Sequence, residues 1–161
     1  MNLRLIRNAT LQLNYAGQRL LVDPMFGAPG TYPALPAGQT SRRNPLVPLP
    51  CPVEELLQPE PAAVLLTHTH FDHFDSVAAE RLPKSLPILG QPADQAEMSR
   101  RGFTAFHGIE TTLDWHGIHL TRTSGKHGKG IIGAAMGRVS GFVLQASGEP
   151  TLYIVGDTIW H

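Results

Sequence analysis

The chain has 161 residues, 42% of them hydrophobic and only 16% charged, which suits one domain with a real core. Lys plus Arg balance Asp plus Glu at 13 each, so neither a nucleic-acid footprint nor an acidic disordered arm is indicated. The lone cysteine, Cys51, cannot make an internal disulfide, the start MNLRLIRNATLQL lacks the apolar core of a signal peptide, and no apolar run approaches a membrane span, so a soluble, cytoplasmic protein with a small-molecule partner is expected.

The opening LRLIR and TLQLNYAGQRLLVDP place leucines at alternate positions and turn at Ala16-Gly17, predicting antiparallel strands with one buried face. Residues 24–50 are rich in Pro and Gly, the composition of a functional loop or lid or of a disordered excursion. Cys51, beside two prolines and no basic neighbour, reads as a small apolar packing residue. PVEELLQ is a short helix with proline at its start, and AAVLL is a buried strand. DSVAAERL is a helix capped by Asp75 or Ser76, LPILGQ a strand, and PADQAEMSRRG a helix opened by proline and closed by glycine. TTLDWHGIHLTRTS predicts a hairpin about His116-Gly117, and RVSGFVLQA with TLYIV a last hairpin. Strands dominate and helices interleave, so a sheet covered by helices on an outer face is expected.

LLTHTHFDHFD, residues 65–75, carries the chemistry. An extended chain would aim His68, His70 and Asp72 one way and His73 away; a helical turn would instead pair 68 with 72 or 70 with 73. Either way two imidazoles converge, and imidazole with carboxylate is the donor set of zinc and of ions such as manganese. Three histidines and an aspartate in residues 68–73, out of 8 histidines in the chain, exceed what capping or solvation needs. His127 lies among glycines that let backbone approach an ion, and Asp157 follows the apolar run TLYIV, which places it at a sheet rim.

HTHFDH resembles the H-x-H-x-D-H signature of the metallo-β-lactamase superfamily. RNATLQLNYAGQRLLVDP is similar to its opening hairpin, SGKHG to the segment bearing its next metal histidine, and YIVGDT to the strand that delivers its bridging aspartate. VDP, GDT and NAT resemble the branch of the ascorbate-phosphate lactonase and the N-acyl-phosphatidylethanolamine phospholipase D, although many members there carry histidine where this chain has Asn8. The resemblance implies an α/β (α+β) fold, the αββα sandwich, in a single domain over 1–161 that lacks its C-terminal part. It implies that His68, His70 and His127 hold a first metal, that Asp72 and His73 hold a second, and that Asp157 bridges them. Zn is the implied cofactor, with Mn or Fe as alternatives. The implied reaction is hydrolysis of an ester, lactone, amide or phosphodiester by water activated between two cations, with Asp72 orienting the nucleophile and taking its proton. Oxygen-reducing di-iron members usually place glutamate where His70 stands, which favours hydrolysis.

The family's last metal histidine lies well downstream of the bridging aspartate, and His161 is too close to Asp157 to match it. A truncated or degenerate metal-binding fragment, with the second metal held poorly and exposed sheet edges driving self-association, is therefore a further expectation. GKGIIG at 128–133 fits a dinucleotide fingerprint, but AAMGRVSG after it is a poor helix, so a glycine loop around His127 is the better reading. His107, His116 and His119 read as structural, His107 in a loop, and Arg42, Arg43 and Lys129 as surface charge or substrate-anion ligands.

Overall fold

The computed structural model of the chain describes residues 1–34, 41–128, 130, 133 and 136–160. Lys129, Ile131 and Ile132 of the GKGIIG stretch therefore lie outside the described residues, as does His161.

Strands β1 (Asn2–Arg7), β2 (Thr10–Tyr15) and β3 (Gln18–Val22) form the predicted antiparallel meander, with Leu3 opposite Leu13 and Leu13 opposite Leu20. The β2–β3 turn needs two left-handed residues, and Ala16 (φ 48°) and Gly17 (φ 74°) supply them. From β3 the pairing turns parallel, through β4 (Ala63–Leu66) and β5 (Ile88–Gly90) to β6 (Phe106–Gly108). Helices α1 (Val53–Leu57), α2 (Ser76–Arg81) and α3 (Gln95–Arg100) lie within the crossovers, α3 behind a 3-10 turn at Pro92–Asp94. The strand β6 was not expected: three residues show no alternation to read, and His107 sits exposed on it rather than in a loop. Among the described residues this makes one sheet in the order β1-β2-β3-β4-β5-β6.

The second sheet, in the order β10-β9-β8-β7, is an antiparallel meander of β7 (Thr112–Trp115), β8 (Ile118–Lys126), β9 (Arg138–Gln145) and β10 (Leu152–Ile154). His116 (φ 47°) and Gly117 (φ 82°) repeat the left-handed pair at the β7–β8 turn. Asp114 and His119 face each other across it and pair at 2.6 Å, a surface contact.

Burial on both faces explains why AVLL is apolar throughout. Val64 and Leu66 point with Leu21 and Ile88 to α2, α3 and Leu56 of α1; Ala63 and Leu65 point with Leu20, Val22 and Leu89 to Phe142, Leu144 and Leu120 of the second sheet. Cys51 packs at the margin of the first of these cores. Helices cover one outer face, that of the first sheet. At one end a polar seam joins the sheets: Ser140 donates its N–H to Thr67 O (3.2 Å) and its hydroxyl to Gln91 Oε1 (2.9 Å), and Gln91 Nε2 donates to Arg138 O (2.9 Å).

The Pro- and Gly-rich segment is anchored in its described parts. The buried Arg7 guanidinium donates to Met25 O, Gly27 O and Val47 O. Asp75 caps α2 through Ala78 N (2.7 Å) and also accepts from Phe26 N (3.1 Å) and Gly27 N (2.6 Å). Tyr32 then stacks on Phe71 of the histidine stretch, with ring centroids 5.1 Å apart.

Candidate metal centre

The site forms where strands of both sheets end. Leaving β4, the chain bends at Thr67 and turns at 71–73, with His73 N and Phe74 N both donating to His70 O (2.9 and 2.7 Å). The turn has the i+3 and i+4 bonds of a single helical turn, begun at His70 rather than running through all of 68–73. It brings His73 back beside His68, with centroids 4.1 Å apart. His127 arrives directly after β8, its ring centroid 4.8 Å from that of His70 and 5.5 Å from that of His68. Asp157 follows β10 through Gly156, whose φ of 68° and close approach to Ser140 O (2.5 Å from a hypothetical Cβ) admit no side chain.

Two donor groups result. One is His68, His70 and His127; the other is His68, His73 and Asp157; within each the ligand atoms lie within 4.8 Å of one another. Asp157 touches both, with Oδ1 3.2 Å from His73 Nε2 and Oδ2 3.2 Å from His127 Nε2. Asp72 is half-buried in the turn and belongs to neither group.

Beneath these donors sits Asp23, which the sequence offered only as the end of a hairpin. It is 2% exposed. Its Oδ1 accepts from Thr67 N (2.8 Å), and its Oδ2 accepts from the Thr67 hydroxyl (2.7 Å) and from His73 Nδ1 (2.8 Å). The single hydroxyl proton of Thr67 is committed to Asp23, so Thr67 Oγ1 accepts from His68 Nδ1 (3.1 Å). That tautomer leaves His68 Nε2 with a free lone pair, and this atom is buried without any hydrogen-bond partner. The sequence signal for Asp23 and Thr67 was slight: a buried Asp-Pro and a Thr immediately before the first histidine.

The electrostatics divide the two histidines. Burial, reinforced by His73 and His70, pushes His68 down to about 3 and keeps it neutral. Burial acts on His73 too, but its hydrogen bonds to Asp157 and Asp23 outweigh it and raise the imidazolium to about 10. The bond from His73 correspondingly holds Asp157 down at about 2. An imidazolium thus lies between two carboxylates. Asp94, at the entry to α3, is raised to about 6 by burial; its Oδ1 accepts from Gln91 Nε2 (3.1 Å) and its Oδ2 has no partner.

A divalent cation fits these residues. An imidazole lone pair is stranded in the interior, which is unfavourable unless something other than protein meets it. Neutral imidazoles and a carboxylate are suitable donors, and Asp23 and Thr67 supply the outer hydrogen bonds that orient such ligands.

Two sheets with helices on an outer face thus meet at a histidine–aspartate centre suited to a metal ion. A family described as beta-lactamase superfamily domain matches residues 18–159, and the chain belongs to the metallo-β-lactamase superfamily. UPF0173 protein YddR of Bacillus subtilis is 40% identical to it, over 100% of this chain and 64% of that protein. The crystal structure of a possible metal-dependent hydrolase from Veillonella parvula superposes with a TM-score of 0.93 at 37% identity, over 99% of this chain and 63% of that one. That of an isothiocyanate hydrolase from Delia radicum gut bacteria gives 0.92 at 37%, over 100% and 64%. The chain therefore spans a little under two thirds of the length of these relatives. No helix among the described residues is long and apolar enough to cross a membrane.

Proposed function

We propose that the whole protein is a metal-dependent hydrolase of small electrophilic molecules: an ester, lactone, amide or phosphodiester, or an isothiocyanate such as the name of one relative indicates. The observation that carries this reading is the buried, partnerless His68 Nε2 at the meeting point of both donor groups. His68, His70 and His127 would hold one divalent cation, and His73 and Asp157 would serve a second, with zinc the first choice and manganese or iron the alternatives. Bound there, such a pair supplies Lewis acidity and lowers the pKa of water toward neutrality. The chain's own residues do the rest. Asp157 reaches both groups, which suits a bridging carboxylate. Asp23 orients the His73 ring through Nδ1, and Thr67 fixes the tautomer of His68. Asp72 stands free of both groups in the turn, where it would orient water and accept its proton.

The test is metal analysis of the full-length protein and of His68→Ala, with hydrolysis followed on a panel of esters, lactones and isothiocyanates. The reading expects bound divalent metal and turnover in the parent, both lost in the variant. Turnover that persists at the parental rate in metal-depleted His68→Ala would overturn it.

A further inference from the structure

Lys126 and Arg138 are direct cross-strand partners at the end of β8 and β9. The register between these strands is unbroken, so side-chain parity can be followed along it. Leu120 in β8 and Phe142 and Leu144 in β9 face the core between the sheets, and Ser140 on the same face reaches Gln91 of the first sheet. Lys126 and Arg138 share that parity. They extend the inward face of the second sheet past the core and into the mouth of the site, one residue before the candidate ligand His127.

Two cations directly opposite each other repel, their Cβ atoms only about 5 Å apart. Both are exposed, and neither forms a salt bridge among the described residues. Folding gains nothing from this arrangement, so a ligand is the natural reason for it. The space between them supports that reading. A cavity of about 670 Å³ is lined by Lys126, His127, Arg138 and the glycines 125, 128 and 137. A second, of about 180 Å³, is lined by His68, His70, Gln91, Asp94, Gly137 and Arg138, so that the one carboxylate there lies on the inner side of Arg138. Arg138 therefore borders both the outer cavity and the metal centre. The planar guanidinium suits two-pronged binding of an oxyanion, the ammonium adds a point charge, and glycine walls leave backbone N–H groups accessible.

We infer that Lys126 and Arg138 form an oxyanion cradle, so that the preferred substrate carries a carboxylate or phosphate on the part remote from the bond that is cleaved. The inference rests on the hydrolase reading and deepens it.

The experiment uses full-length, metal-loaded protein and two substrates matched in leaving group: the 4-nitrophenyl monoester of succinate, and its methyl-capped neutral counterpart. A phosphate-bearing ester of the same length separates phosphate from carboxylate as the favoured anion. The cradle expects a KM about tenfold lower for the anionic ester, a difference that shrinks as salt is raised. Lys126→Ala with Arg138→Ala should abolish the difference in KM between the two esters, while Arg138→Lys restores part of it. Independently of turnover, succinate titrated calorimetrically into metal-free full-length protein should bind to the parent and fail to bind to the double variant. Equal KM values for charged and neutral esters, with succinate binding absent or unaltered in the variant, would overturn the cradle while the hydrolase reading stands. Loss of succinate binding in the variant, with no ester hydrolysed by any form, would support the cradle and defeat the hydrolase reading instead.

Discussion

Replacing Asp23 with Asn removes a charge and almost no volume, which makes it the most informative single change in the molecule. Both carboxylate oxygens are occupied by donors: Thr67 N on Oδ1, and the Thr67 hydroxyl and His73 Nδ1 on Oδ2. An amide has one oxygen and one NH2, so either orientation sets a donor against a donor. Asn also tolerates the left-handed backbone at this position, φ 43°, so backbone strain does not cloud the result. Losing a charge-assisted bond removes about 1.5–3 kcal/mol, and a stranded buried donor adds about 1–3 kcal/mol, so Asp23→Asn should destabilise the metal-free protein by roughly 3 kcal/mol. Freed from its acceptor, the His73 ring loses its fixed orientation, and metal should bind about 10–100-fold more weakly. Urea unfolding of metal-free protein gives the first quantity, and competition with a chromophoric chelator gives the second. A stability change below about 1 kcal/mol together with unaltered metal affinity would refute the assignment of Asp23 as the organiser of the site.

Three further outcomes follow from the same geometry. Asp157→Asn should reduce bound metal per chain, measured by elemental analysis, because the amide cannot serve His73 and His127 together as an anion; undiminished stoichiometry would count against a bridging role. Gly156→Ala should destabilise by roughly 3 kcal/mol and weaken metal binding, since its Cβ would lie 2.5 Å from Ser140 O on a backbone of φ 68°; unchanged urea midpoints would show that the loop yields easily. Metal-free stability should fall as pH rises from 6.5 to 10, whereas between about pH 4 and 6 the raised Asp94 opposes the lowered His68. His73, raised to about 10, contributes fully below its unfolded value and loses that contribution as pH rises toward 10; His68, lowered to about 3, and Asp157, at about 2, lose theirs as pH falls. Denaturation across pH 4–10 checks the sign, and a steady increase in stability from pH 6.5 to 10 would contradict the His73 assignment.

Hairpins and candidate donors were legible because local chemistry dictates them. Ala16-Gly17 and His116-Gly117 announce two-residue turns, and the HTHFDH cluster announces its donors. The parallel strand β6 was invisible, since three residues held by β5 need no pattern of their own. The return of His73 toward His68 was likewise unreadable, because it depends on a turn closed onto His70 O rather than on strand or helix periodicity. Asp23 and Thr67 are distant in sequence, so a contact between them could not be read from spacing alone. The apolar run TLYIV pointed to a sheet rim for Asp157, which follows β10, but its two imidazole contacts depend on the folded chain.

The donors come from both sheets: His68, His70 and His73 follow β4, His127 follows β8 and Asp157 follows β10. An ion held by all of them would act as a clasp closed late in folding. Neither half of the sandwich could capture it alone, so the ion would do little to speed folding and much to slow the parting of the sheets. Resistance to unfolding would then be a lifetime governed by metal release, and a chelator would shorten that lifetime before any change in the folded fraction was measurable.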